Sequence, residues 1–160
     1  MNAIYSLLIR KKRALLNYIL LIFFLPISII FFFTAKLIKP IILVRWHQLM
    51  SSRIGHFASN TEMYLCEKDF KINTPKKKFI DIFYNAPGPV CNKQLDKMWK
   101  RKLIVIPWHI MKSVDYINKN FFNGKDHEIG NNTSGPKDVH NLLDRTKPHI
   151  AFTPDEEKYG

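Results

Sequence analysis

Residues 41–69 read IILVRWHQLMSSRIGHFASNTEMYLCEKD, and the fold turns on how that stretch is parsed. It opens with four apolar residues in a row, Ile41, Ile42, Leu43 and Val44. A short polar segment, SSRIGH at 51–56, follows, and then Phe57, Met63, Tyr64 and Leu65 fall at helical spacing. An apolar run without alternation marks a strand covered on both faces. The parse is therefore a buried strand, a tight turn bearing Gly55, and a helix, which is how an α/β domain that handles nucleotides begins. The strand is placed at 41–46. The helix runs to about residue 68, with Ser59 or Asn60 as its cap and Glu62 in its first turn.

Upstream, residues 1–13 form a basic segment ending in Arg10, Lys11, Lys12 and Arg13. Residues 14–35 contain no charged side chain and are dominated by Leu, Ile and Phe. As a helix they rise about 33 Å, one hydrocarbon thickness, so a transmembrane or monotopic membrane helix is expected. The run is too long for a signal peptide, and no small-x-small site follows it. Four basic residues ahead of it favour a cytoplasmic N-terminus. Lys36, Lys39 and Arg45 follow on the other side, and Pro26 is expected to kink the helix. A simple span then places the domain outside the cytoplasm, whereas a segment that dips into the bilayer and returns keeps it cytoplasmic, a geometry that basic residues on both flanks suit; the sequence leaves both open.

Downstream, the domain is expected to occupy residues 41–152. Residues 79–84 (FIDIFY) read as a second strand and 103–106 as a third. Residues 85–89 form a loop by their Pro and Gly content. Asn92 caps a helix over 93–102, with Leu95, Met98 and Trp99 at i, i+3 and i+4. Another helix is placed at 110–119, a mobile Asn- and Gly-rich loop at 121–136, and a short helix at 138–145. The sequons at Asn131 and Asn132 are read as chance in an Asn-rich stretch. Residues 150–152 are extended. Thr153 then caps a helix with Pro154 at its first position, and residues 153–160 are taken as the start of a truncated helix.

The chain has 160 residues, a net charge of +12 and 13% aromatic residues. That aromatic content argues against a disordered chain. The charge has three ordinary causes: nucleic acid, an anionic membrane surface, or anionic substrates such as sugar nucleotides. Cys66 and Cys91 are far apart and lie in no CxxC or Cys/His pattern. They are read as two buried thiols of a reducing compartment, and their spacing gives no metal site.

Three segments, SSRIGHFASNTEMYLCEKD, CNKQLDKMWKRKL and HIAFTPDEEKYG, occur in an order and spacing that resemble the N-terminal half of a group of bacterial glycosyltransferases found with surface-polysaccharide genes. The opening unit also looks like heptosyltransferase-type domains of the two-Rossmann (GT-B) fold. The resemblance implies an α/β fold, in which the membrane helix is followed by a partial Rossmann-like parallel sheet with flanking helices. It implies transfer of a sugar from a nucleotide-sugar during glycan synthesis, with a glycan or lipid-linked acceptor on this domain. The nucleotide-sugar is a substrate held by a C-terminal domain that is missing here. No cofactor, metal or nucleic-acid partner is implied. Membrane lipid is the other partner, and the place is the bacterial inner membrane, on its cytoplasmic side.

Inverting transfer needs a base for the acceptor hydroxyl and donors near the departing diphosphate. In enzymes of the resembled fold a histidine in the first loop often serves as base, which points to His56. A helix N-terminus favours the neutral imidazole that this requires. Ser52 and Arg53 suit an anionic group at a helix entrance. Gly55 allows a backbone conformation or close approach closed to other residues. Asn60, Glu62 and Asn92 can bond acceptor hydroxyls, beside the capping roles their positions also allow. The rival reading is a non-catalytic, membrane-anchored basic module for anionic lipid or nucleic acid. It requires basic residues grouped on one face with interleaved aromatics, whereas the clusters at 10–13, 76–78 and 97–102 are scattered.

Overall fold

The computed structural model describes residues 3–122, 124–129 and 137–158. The elements follow the order α1 (Ala3–Ile38), β1 (Leu43–Leu49), α2 (Ile54–Asp69), β2 (Phe79–Asn85), α3 (Lys93–Lys100), β3 (Ile104–Val105), α4 (Trp108–Ile117) and α5 (Pro154–Glu157). The three strands form one parallel sheet with β2 in the centre. Leu43 pairs with Phe79 and Leu49 with Asn85, and Ile82 and Phe83 pair with Ile104 and Val105.

Alternation along the strands separates two cores. Val44, Trp46, Ile82 and Tyr84 point to one face, where they meet Phe32 and Ala35 of α1 and Met111 and Val114 of α4. Leu49 and Phe83 point to the other, against Phe57 and Leu65 of α2 and Trp99 of α3. Both faces are thus covered, as a parallel sheet requires. The indole N–H of Trp99 donates to the Phe57 carbonyl at 3.1 Å and ties the two helices of that layer together.

The N-terminal helix is also part of the domain. It includes a segment, Ala14–Ile38, long and apolar enough to cross a membrane. It also runs from Ala3 through Pro26 to Ile38 as a single helix, and its second half is a layer of the domain. Phe24, Ser28, Phe31, Phe32, Ala35 and Ile38 recur every three or four residues on the side that meets the domain. Phe24 stacks on His109 with ring centroids 4.6 Å apart. The Ser28 hydroxyl donates to the Ile110 carbonyl at 2.9 Å. Phe32 is fully buried. On the outward side Ile19, Ile22, Phe23, Ile30, Phe33 and Leu37 are exposed.

Several boundaries differ from the sequence reading. Helix α2 starts at Ile54, with Arg53 as an extended N-cap that offers no side-chain bond. Ser59 and Asn60 therefore cap nothing, and Glu62 sits in the third turn. Polar residues are accommodated inside this helix by back-bonding: the Thr61 hydroxyl donates to the Phe57 carbonyl at 2.7 Å. Asn92 does cap α3, accepting from the Leu95 amide at 2.9 Å. Thr153 and Glu156 form a complete capping box on α5. The helix expected at 138–145 is instead a set of turns, in which the Asp138 carboxylate accepts from the amides of Leu142 and Leu143. Asn141, at φ +51, is incompatible with a continuing helix. Cys66 is buried as expected, but Cys91 is exposed, and both are free thiols.

The loop expected over 121–136 is largely structured where it is described. Asn118–Phe122 continues α4 as a π-helical turn, and Lys125–His127 is a 3-10 turn. Glu128 then bridges Trp46 at the outer edge of β1. His127 is fully buried, stacks on Trp46 at 5.0 Å and bonds the Val44 carbonyl through Nδ1 at 2.6 Å. A polar, Asn-rich composition did not signal this, because one buried imidazole holds the segment. Asn131 and Asn132 lie outside the described residues.

Candidate functional site

In a parallel sheet every strand feeds its helix from the same edge, so the three βα loops gather at the carboxyl ends of the strands. Here these are residues 50–53 before α2, 86–92 before α3 and 106–107 before α4. The first two are joined. The Ala86 amide donates to Ser51 Oγ at 3.0 Å, and the Cys91 amide to the Ser51 carbonyl at 2.8 Å. Ser51 is buried for that reason. Gly88, at φ +110, makes the turn of the second loop, a conformation that L side chains rarely adopt.

His56 lies in the first turn of α2, half-buried, and its Nδ1 is buried without a hydrogen-bond partner. Asn60 follows one turn later on the same face. Its amide reaches only the thioether of Met50, at 3.8 Å, and its Oδ1 is buried and unpartnered. Asn85, at the carboxyl end of β2, donates to Asp96 at 2.7 Å while its Oδ1 also lacks a partner. His109, in the first turn of α4, has a buried, unpartnered Nδ1. Buried polar atoms are nearly always paired, and an unpaired one costs about 1–3 kcal/mol. Four of them come from three successive strand–helix junctions at one edge of the sheet.

Of the residues expected from sequence, Ser52, Arg53, His56, Asn60 and Asn92 do lie on these junctions. Ser52 and Arg53 are exposed at the entrance to α2. Asn92 is exposed and spends its side-chain oxygen on the α3 cap. Gly55 is in the first turn of α2 and has no positive φ, and a methyl group in place of its hydrogen would meet nothing within 4 Å. Neither conformation nor close approach therefore explains the glycine. Glu62 is elsewhere. It faces the C-terminal segment, where its Oε1 accepts from the backbone amide of His149 at 3.1 Å and meets His149 Nδ1 at 2.8 Å. Asn85 and His109 escaped the sequence reading. The signal for each was its place, one polar residue at the end of a buried strand and one at the start of the next helix.

A second polar cluster lies deeper, under α2. Arg45 and Asp81, neighbours on β1 and β2, form a bidentate pair at 2.7 and 2.8 Å with both side chains buried. The Tyr64 hydroxyl donates to the same carboxylate at 2.5 Å. Burial, and then the bond to Asp81, push the Tyr64 phenol far above its ordinary range. Arg45 also reaches the Asn73 carbonyl at 3.3 Å, beyond the amino end of β2. That direction is away from the loop edge, so the cluster is a structural brace between two strands and a helix.

No protein-family model, curated protein or solved structure matches this chain.

Proposed function

We propose that this chain is the acceptor-side domain of a membrane-associated glycosyltransferase of Rossmann-like, GT-B type, with its acceptor bound at the carboxyl edge of the sheet. The observation that carries the reading is the coincidence of two features at that edge. His56, Asn60, Asn85 and His109, each with an unpartnered buried atom, lie at or next to the strand–helix junctions of that edge. The free half of α1 leaves the domain in the same direction. Contacts along α1 run upward with those of its partner: Phe24 with His109, Ser28 with Ile110, Phe32 with Phe122. The two helices are therefore parallel, and α4 begins at the carboxyl edge. Residues 3–23 project past it by about 31 Å, and exposed Leu15, Leu16, Tyr18, Ile19, Ile22 and Phe23 cover that overhang. A bilayer that takes up this helix lies against the loops, where a lipid-linked saccharide presents its hydroxyls.

In this reading His56 takes the proton from the acceptor hydroxyl as the oxygen attacks the anomeric carbon. Asn60 and Asn85 orient neighbouring hydroxyls, and Arg53 meets the phosphate of the carrier lipid. The nucleotide-sugar is bound by a second domain, and the protein works on the cytoplasmic face. The basic-module reading finds less support. Lys97 and Arg101 pair with Glu156, and Lys100 with Asp96, so two carboxylates offset part of that cluster's charge locally.

The test is hydrogen exchange on the full chain in nanodiscs, with and without an isoprenoid-diphosphate-linked disaccharide. The saccharide lipid is expected to protect residues 51–60 and 85–92 beyond any effect of isoprenoid phosphate alone, and His56→Ala with Asn60→Ala to abolish that protection. Equal exchange with both lipids ends the reading. Joined to its donor domain, His56→Ala is expected to slow transfer by about 10²-fold or more with an unchanged unfolding midpoint.

A further inference from the structure

On α2, Glu62, Cys66 and Asp69 follow at i, i+4 and i+7 and share one face of the helix. His149, from the segment between the turns at 139–146 and α5, lies over that face. One ligand atom each from Glu62, Cys66 and His149 lie within 4.8 Å of one another. The imidazole is held on both sides: Nδ1 is 2.8 Å from Glu62 Oε1, and Nε2 is 3.1 Å from Asp69 Oδ2. Cys66 is fully buried, its sulfur 3.1 Å from Thr146 Oγ1, at the margin of an apolar cluster with Met63 and Leu142.

We propose that Glu62, Cys66 and His149 are the ligands of a zinc ion that fastens the C-terminal segment to α2. Thiolate, imidazole and carboxylate together are a donor set that zinc favours over magnesium or calcium. Four-coordinate zinc with bonds of about 2.0–2.3 Å separates its donors by roughly 3.3–3.6 Å. The Glu62–His149 edge, at 2.8 Å, therefore opens by about 0.5 Å and the edges to Cys66 close by up to about 1 Å, within reach of side-chain rotation. His149 Nδ1 is the ligating nitrogen, because it is the one turned toward Glu62. Asp69 then plays the carboxylate that orients a metal-bound histidine through its other nitrogen. Three protein donors leave the fourth position to water. Binding displaces the thiol proton of Cys66 to solvent and the Nδ1 hydrogen of His149 to solvent or, by tautomer exchange, to Nε2 facing Asp69, and it replaces the direct Glu62–His149 contact with two bonds to the metal. The site is on the outer side of α2, separate from the carboxyl-edge loops, and stands or falls independently of the glycosyl-transfer reading.

Cobalt(II) is the probe, added to the full chain in detergent. A thiolate-to-cobalt charge-transfer band is expected, with d–d intensity typical of four-coordination, and one equivalent of zinc should bleach both. Cys66→Ser is expected to remove the charge-transfer band, His149→Ala to weaken binding at least tenfold, and Cys91→Ser to change neither. Asp69, whose side chain is 62% exposed, gives a variant that does not threaten folding. Asp69→Asn is expected to weaken cobalt binding 10- to 100-fold. No charge-transfer band in the native chain, a band that follows Cys91 instead of Cys66, or unchanged affinity in Asp69→Asn overturns the proposal.

Discussion

Asp81 shows how a single side chain can be more costly to remove than its pair is to replace. Asp81→Ala leaves the Arg45 guanidinium buried without its carboxylate and is expected to cost about 3–5 kcal/mol. Arg45→Met combined with Asp81→Leu should cost much less, and chemical denaturation of both variants in detergent makes the comparison. Tyr64 adds to the loss in either case, since its hydroxyl donates to the same carboxylate. His127 and His47 give the fold a dependence on pH. Burial is the main cause holding both below the ordinary value of 6.5. Above that value both states carry neutral imidazoles and stability is flat. As pH falls below it, the unfolded chain takes up protons that the folded chain refuses, so stability declines toward acid. His127→Phe, which keeps the stack on Trp46, is expected to lessen the decline between pH 7 and 5 in thermal melts. A pH profile identical to that of the native chain would contradict this. Sequence pointed to His56 and Asn60 because they sit beside a recognisable turn. It could not point to His127 or His149, whose partners are 83 and 87 residues away.

Helix α1 is where composition conceals the most. From Ala14 to Ile38 its hydropathy reads as membrane, so the stripe that meets the domain is hidden among residues equally apolar on the other sides. Ser28 and Ala35, small residues seven apart, are the trace of it: they let α1 approach Ile110 and β1 closely. Two truncations separate the roles. Removing residues 1–23 is expected to leave the domain folded and more soluble. Removing residues 1–38 strips Phe32 and Ala35 from the core and should give an aggregating chain, as followed by circular dichroism and gel filtration. Phe32→Ala in the full chain is expected to cost about 3–5 kcal/mol. The reading of α2 erred in the opposite way. Ser59 and Asn60 look like caps because such residues usually are, yet the helix had already begun at Ile54, with the Phe57 amide bonded to the Arg53 carbonyl. Strands were easier. The apolar runs at 41–46 and 79–84 overlap β1 and β2, since burial on both faces favours apolar residues and admits the charges of Arg45 and Asp81 only as a pair.

The molecule as a whole is a sheet between two helical layers, with one long helix overshooting the edge at which all three loops meet. If the bilayer takes up that overshoot, a fluorophore at Ser52→Cys should be quenched by brominated lipid several-fold more than one at Lys76→Cys, both in a Cys91→Ser background. Equal quenching would mean that the helix lies flat or turns away. That the sheet is parallel and α/β was legible in strand–helix alternation. The direction in which α1 leaves was not, because it depends on which residues of α4 it touches. The bridge from Glu128 to Trp46 carries a consequence of another kind. It occupies part of the outer backbone of β1, and Ile129 donates its amide to the Trp46 carbonyl there. Among the described residues nothing comparable covers β3, which is two residues long and has Ile104 54% exposed. Among the described residues the free flank of the sheet is therefore that of β3, and a chain that extends the sheet by main-chain pairing would be added there.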